Sequence, residues 1–152
     1  VNKYGYDKIS FLIKTNKKSK LLPLNEIASG GELSRLSLVI QLETRSNDDC
    51  ETMIFDEIDT GIGGATAEVL GNHLLKLSEQ TQVLCVTHLA QVAAQGKEHL
   101  KVVKIQKNGA TFTHVTDLSP SQRTEEVARI LGGITISDKT RVAAEEMIKS
   151  SA

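Results

Sequence analysis

Asp56 and Glu57 stand side by side at the end of the apolar run Thr52-Met53-Ile54-Phe55. A short, fully apolar run suits a central strand of a parallel sheet, buried on both faces. Ligands of such sheets bind beyond the carboxyl ends of the strands, where both carboxylates would project. Together they can divide the labour of a hydrolysis. Asp56, first after the strand, is placed to hold Mg²⁺, directly or through water. Glu57 projects differently and can orient and deprotonate an attacking water, a transfer that contributes about 10²–10⁴-fold. An acidic pair after a strand equally serves as a helix cap or a turn, so it does not establish catalysis by itself.

Three further features supply a context. Ala28-Ser29-Gly30-Gly31-Glu32-Leu33-Ser34-Arg35-Leu36 opens a helix whose apolar positions are Leu33, Leu36 and Ile40, with Leu38 and Leu42 alongside. The first N–H groups of a helix lack intrahelical partners, and the macrodipole adds about half a positive charge there. Gly30 and Gly31 let a bulky anion approach, and the Ser29 hydroxyl adds a donor. A phosphate-sized anion is therefore expected in front of Ser29 to Gly31, although a serine cap and glycine turn before an ordinary helix would read the same. Ile58-Asp59-Thr60-Gly61-Ile62-Gly63-Gly64 is a glycine-rich loop directly after the carboxylates. Val83-Leu84-Cys85-Val86 is a second buried strand, ending in Thr87-His88. A lone histidine there is more often a hydrogen-bonded core residue than a functional one.

The elements that must position these residues alternate strand and helix. Tyr6 to Thr15 alternates as a half-buried strand, followed by a basic loop with Lys14, Lys17, Lys18 and Lys20 that reads as solvated. The serine–glycine helix runs to about Ser46, and Asn47-Asp48-Asp49 is a turn. After the glycine loop, Ala67, Leu70, Leu74 and Leu77 mark a helix in which Gly71 is either a weak spot or a point of close packing. A short helical turn spans Leu89 to Gln95. Leu100–Lys107 and Ala110–Asp117 form a hairpin about Asn108-Gly109. Helices over Ser121–Leu131 and from Asp138 to about Ser150 close the chain. This order predicts an α/β fold, a mostly parallel sheet with flanking helices and an antiparallel edge hairpin.

Composition narrows the class. The 152 residues suit one domain, and 18 Lys+Arg against 19 Asp+Glu give a net charge of −1. That balance argues against a generally adhesive nucleic-acid or membrane surface, so any DNA contact would be local or lie elsewhere in a longer protein. Cys50 and Cys85 form no CxxC, and Cys85 lies in an apolar run, which points to a reducing compartment. No apolar run is long enough to span a membrane. The chain opens on Val1 and reads as a piece of something longer.

The ordered set of serine–glycine helix start, strand-end Asp-Glu, glycine loop and strand-end histidine resembles the C-terminal half of an ATP-binding-cassette ATPase. Three segments narrow the likeness: Ala28 to Arg35, Ile54-Phe55-Asp56-Glu57-Ile58-Asp59-Thr60-Gly61-Ile62, and Gln82 to Ala93. With the tail Ala128-Arg129-Ile130-Leu131-Gly132-Gly133 and the opening strand, they resemble the RecN family. These are bacterial DNA double-strand-break repair ATPases related to the structural-maintenance-of-chromosomes (SMC) proteins. The resemblance implies that residues 1–152 are the C-terminal lobe of a split SMC/ABC-type P-loop NTPase head. It implies that Ser29, Gly30, Gly31 and Glu32, the signature motif, meet ATP held by a second subunit. Asp56 would serve Mg²⁺, Glu57 would polarise the water, and His88 would contact the γ-phosphate within its own subunit. Asp59 would belong to the D-loop crossing the dimer interface. Implied partners are an N-terminal Walker A lobe of the same protein, a second copy through ATP-sandwiched heads, and DNA, with no membrane. The implied setting is the bacterial cytoplasm and nucleoid.

Some positions depart from that pattern. Glu26 replaces a frequent lysine, Gly63 replaces a polar residue, and Lys17-Lys18 replaces a Pro-Gly turn. No G-x-x-x-x-G-K-[ST] phosphate loop occurs in the chain, so the isolated segment is expected to be inactive. Three other readings compete: the C-terminal half of a transporter nucleotide-binding domain, a metal nuclease using Asp56, Glu57 and Asp59, and a non-catalytic interaction domain. Glu32-Leu33-Ser34-Arg35 differs from the glutamine-rich signature usual in transporters.

Overall fold

The spacing of Ala67, Leu70, Leu74 and Leu77 dictates helix α3 (Gly64–Ser78), which buries all four together with Gly71. The computed structural model describes residues 3, 5–6, 9–14, 19–27, 30–44, 51–107, 109–133 and 135–150. In it, α3 packs on one face of a parallel strand pair, β3 (Thr52–Phe55) and β4 (Gln82–Cys85). The register sets Phe55 level with Cys85, and Val86 N–H extends the ladder by donating to the Phe55 carbonyl at 2.9 Å. Phe55, Ile58, Leu38 and Val92 join the α3 row in one core, with Met53, Val83 and Cys85 against it. The other face of the pair is open, with Ile54 72% and Val86 61% exposed. Burial on both faces was the expectation. The α3 row, Leu38 and Val92 all gather on the Phe55 side, so only that side is covered among the described residues.

Helix α2 (Gly30–Thr44) corrects its sequence reading too. Gly31 and Leu38 are buried and Arg35 and Leu42 partly so, whereas Leu33, Val39 and Ile40 are exposed. The inward stripe runs through 31, 35, 38 and 42: of the apolar positions expected to face in, Leu38 and Leu42 do, Leu36 is half-buried, and Leu33 and Ile40 are exposed. Hydrophobicity pointed to another face because the inward one carries a glycine and an arginine. Chain beyond Thr44, including the Asn47–Asp49 turn and Cys50, lies outside the described residues.

A second core joins three helices through small side chains. Ala90 of α4 (Ala90–Ala93) and the adjoining Ala94 meet Val127 and Ala128 of α5 (Pro120–Gly132) and Ala144 of α6 (Asp138–Lys149). Val92 of the same α4 belongs to the first core, so one helical turn links the two. Gly71 is a point of close packing: a Cβ there would lie 2.7 Å from Gln95 Cγ and 3.1 Å from the Gln91 carbonyl oxygen. Helix α5 starts one turn-residue earlier than Ser121, because Ser119 and Gln122 form a capping box ahead of Pro120. Ser137 caps α6 by accepting from the Thr140 N–H at 3.2 Å.

The hairpin has the expected strands, β5 (Leu100–Lys107) and β6 (Ala110–Asp117), paired antiparallel from Lys107↔Ala110 to Leu100↔Asp117. Gly109 takes φ +77°, and Asn108 lies outside the described residues. Among the described residues the hairpin is a two-stranded sheet of its own and does not bond to β3 or β4. The opening segment is less regular than expected: β1 is only Leu12–Ile13, paired with β2 (Leu22–Pro23) ahead of the short α1 (Leu24–Ile27). Ile9 and Phe11 are exposed, so the alternating pattern meets no covering layer there among the described residues. Lys17 and Lys18 lie outside the described residues. No helix among the described residues is long and apolar enough to cross a membrane.

The hairpin is tied to α5 by an ion network. Glu126, almost fully buried, accepts from Lys101 of β5 and from Arg129 Nε and Nη2 at 3.0 and 2.6 Å. Burial by itself raises the Glu126 carboxyl, but the bonds from Arg129 and Lys101 outweigh it and hold the group below its usual range. A carboxyl depressed in the folded state adds stability above its unfolded pKa and loses it as pH falls through the folded one. Glu126→Gln should therefore flatten the fall in stability below about pH 4.3, the ordinary glutamate value. Urea midpoints of both proteins measured from pH 7 down to the acid limit test this, and parallel curves would show that the network contributes nothing.

Candidate functional site

Because β3 and β4 are parallel and in register, their carboxyl ends deliver Asp56-Glu57 and Thr87-His88 to one edge of the sheet. Asp56 and Glu57 are exposed, and the His88 side chain is 69% exposed. Three polar groups able to meet a ligand thus open together beyond the strand ends. Glu57 takes φ +56°, the sole positive value at a non-glycine among the described residues. Such backbone costs about 1–3 kcal/mol and persists where its surroundings over-determine it. Here the Thr60 N–H closes the turn onto the Glu57 carbonyl at 3.1 Å.

Asp59 behaves differently from its acidic neighbours. It is 1% exposed, and its Oδ2 accepts from Thr87 Oγ1 at 2.6 Å and from the His88 main-chain N–H at 3.0 Å. His88 Nδ1 lies 3.2 Å from the same oxygen. The three carboxylates of the nuclease reading therefore do not converge, and no metal-ligating group of three or more His, Cys, Asp or Glu occurs among the described residues. Mg²⁺ does not need such a cage, since it is commonly held by one or two carboxylates plus substrate phosphates and water. The exposed Asp56 carboxylate fits that mode.

Arg35 holds the turn from the other side. Its Nη1 donates to the carbonyls of Ile58 at 3.1 Å and Thr60 at 2.9 Å, the two residues flanking Asp59. This contact explains one of the paired glycines. A Cβ at Gly31 would meet the Glu57 and Thr60 carbonyl oxygens at 3.2 Å each and Arg35 Nη1 at 3.1 Å. At Gly30 a Cβ would meet none of the described residues within 4 Å. Gly31 thus lets α2 approach the turn, while Gly30 leaves open ground at the helix start. Ala28 and Ser29 lie outside the described residues, as does the side chain of Glu32. Arg35 and Thr87 had no assigned role from sequence. The signal for Arg35 was its position one turn after Gly31, on the same helix face.

Cys85, just ahead of the site on β4, is an inert packing residue. Burial first, then the nearby charges of Asp59 and Asp56, push its thiol up to about 12. At neutral pH it carries no thiolate, the form in which cysteine acts as nucleophile or ligand.

Comparison with known proteins gives a consistent family and fold. A DNA repair protein RecN from Xylella fastidiosa (strain 9a5c) is 49% identical over 145 residues, which is 95% of this chain and 26% of that protein. The RecN of Bacillus subtilis (strain 168) is 42% identical over 147 residues, again 26% of its length. The chain thus spans about a quarter of the curated relatives it matches. No family model matches. A solved structure from a study of ATP-driven dimerization and DNA-stimulated activation of SMC ATPases superposes with a TM-score of 0.53 at 18% identity. It covers 75% of this chain and 68% of that one, a likeness of fold: α/β, of the SMC/ABC ATPase-head type. The transporter alternative is not favoured by these relatives.

The two glycines should separate experimentally. Gly31→Ala places a methyl 3.2 Å from two backbone carbonyl oxygens, which must give by a few tenths of an ångström, and should lower stability by about 1–3 kcal/mol, the range for over-packing. Gly30→Ala should leave folding stability unchanged. Thermal melts of the two variants test the pair, and equal shifts would contradict the tight seating of α2 on the turn.

Proposed function

The chain belongs to the RecN family, and from that premise we propose that it is the C-terminal lobe of a split ATPase head acting in recombinational repair of DNA breaks. The observation that carries this is the joint exposure of Asp56, Glu57 and His88 at the carboxyl ends of paired strands. In this reading Glu57 orients and deprotonates the water that attacks the γ-phosphate, and His88 meets that phosphate in the same subunit. Asp56 holds Mg²⁺, which when bound neutralises phosphate charge. Ser29, Gly30 and Gly31 present the start of α2 to ATP held by the other head of a homodimer, with Glu32 beside them, and the loop bearing Asp59 faces that head. The phosphate loop comes from an N-terminal Walker A lobe of the same protein. Without that lobe the isolated chain neither holds ATP tightly nor hydrolyses it, because the loop N–H groups and lysine carry most triphosphate binding. DNA is engaged by the whole protein in the bacterial cytoplasm.

Two experiments on a full-length protein carrying this lobe test the reading. Glu57→Gln should keep ATP binding and slow turnover by roughly 10²–10⁴-fold, the range for a lost positioned base. Wild-type turnover in that variant would move the base elsewhere. Ser29→Arg should bind ATP normally yet fail to dimerise or hydrolyse it. Mixing it with a phosphate-loop lysine variant should restore some activity, because the hybrid dimer keeps one intact composite site. Rates against mixing ratio decide the matter, and no rescue despite confirmed hybrid dimers would count against a shared site.

A further inference from the structure

Asp59 is buried and Arg35 half-buried, and together they connect the elements that open at the strand ends. Ile58 is 0% exposed and anchors the turn in the first core, while Arg35 Nη1 joins the carbonyls on either side of Asp59 to α2. From that fixed base, one oxygen of Asp59 takes the Thr87 hydroxyl, the His88 main-chain N–H and the approach of His88 Nδ1. Thr87 Oγ1 in turn accepts from the Leu89 N–H at 3.1 Å, which fixes the next residue of the same segment. An exposed imidazole is otherwise free to rotate about its side-chain torsions. A carboxylate at one ring nitrogen selects the ring orientation and leaves the other nitrogen facing outward.

We infer that Asp59 is the positioning residue for His88, and that Arg35 couples this pair to the start of α2. This rests on the reading above, in which His88 meets a phosphate of its own subunit and α2 meets one from the partner. The consequence is a mechanical link. Any shift of α2 on meeting the partner's nucleotide carries the Glu57–Thr60 turn with it, and through Asp59 the histidine ring. The signature helix and the histidine then respond as one body.

The test uses a full-length RecN-family protein containing this chain and reads nucleotide Kd and kcat separately. Asp59→Asn keeps the shape and removes the charge. It should lower kcat by roughly 10–100-fold, by analogy with the loss of the carboxylate that orients a metal-ligating histidine, with Kd changed by less than about twofold. The double variant Asp59→Asn with His88→Ala should be no slower than His88→Ala alone, since residues acting through one another are non-additive. Arg35→Met, which keeps length but removes the donors, should fall in kcat with Kd retained. Thr87→Val removes one donor to Asp59 at nearly constant shape and should lower kcat in the same direction. It decides the question if Asp59→Asn fails to fold. If His88→Ala leaves turnover intact, the role given to His88 is wrong and the inference falls with it. If His88→Ala is slow while Asp59→Asn and Thr87→Val turn over normally, the inference is overturned and the proposed function stands. Fully multiplicative effects in the double variant would also overturn it.

Discussion

A carboxylate taken out of water must be repaid in hydrogen bonds, and Asp59 shows how this lobe is put together under that constraint. At 1% exposure it faces the interior, where an uncompensated charge would cost several kcal/mol. Its donors come from Thr87 and His88, on the segment leaving β4, while Asp59 itself follows β3. Satisfying the charge therefore binds together the two segments that leave the parallel pair. The same bonds hold the exposed Asp56, Glu57 and His88 at one edge. Removing the Thr87 hydroxyl would leave Asp59 one donor short, at about 1–3 kcal/mol by the usual penalty for an unmet buried acceptor.

Backbone carbonyls impose the complementary demand. A turn with a left-handed Glu57 leaves the Ile58 and Thr60 carbonyls pointing away from the ladder, and they need donors. Arg35 supplies both from α2, which Gly31 lets lie so near the turn that a Cβ there would stand only 3.2 Å from the Glu57 and Thr60 carbonyl oxygens. The glycine and the arginine are thus one device, spaced one helical turn apart. The helix start that the sequence marks as an anion site is at the same time a packing surface, with Gly30 open and Gly31 filled.

The two cores differ in kind. Branched and aromatic side chains fill the first, around α3 and the strands, while alanines dominate the second, where α4, α5 and α6 approach closely. Arg123 reinforces that approach by donating to the carbonyls of Ala94 at 2.8 Å and Gly96, where α4 ends with unpaired acceptors. Burial lowers the pKa of this arginine; its Nη2 is met by the two carbonyls, whereas its buried Nε has no partner among the described residues. The hairpin joins the second core through Glu126, another buried carboxylate satisfied by cations from two elements. Buried acids, each shared between segments far apart in sequence, do much of the joining in this lobe.

The amino-acid sequence by itself determined the strands Thr52–Phe55 and Leu100–Lys107, the α3 face and the end-of-strand positions of Asp56, Glu57 and His88. Each of these rests on local pattern: a short apolar run, an alternation, a helical period. It also carried the ordered motifs that resemble RecN, and the relatives agree with them. Tertiary structure alone decided which face of α2 turns inward, that Ile54 and Val86 stay uncovered, and that Asp59 points in while Asp56 and Glu57 point out. The physical reason is that periodicity counts apolar side chains, whereas the inward face of α2 was chosen by a close approach at Gly31 and two carbonyls seeking Arg35. Likewise, whether an acid is buried depends on the donors that reach it, and those of Asp59 come from residues 87 and 88, which only the parallel register of β3 and β4 brings beside it.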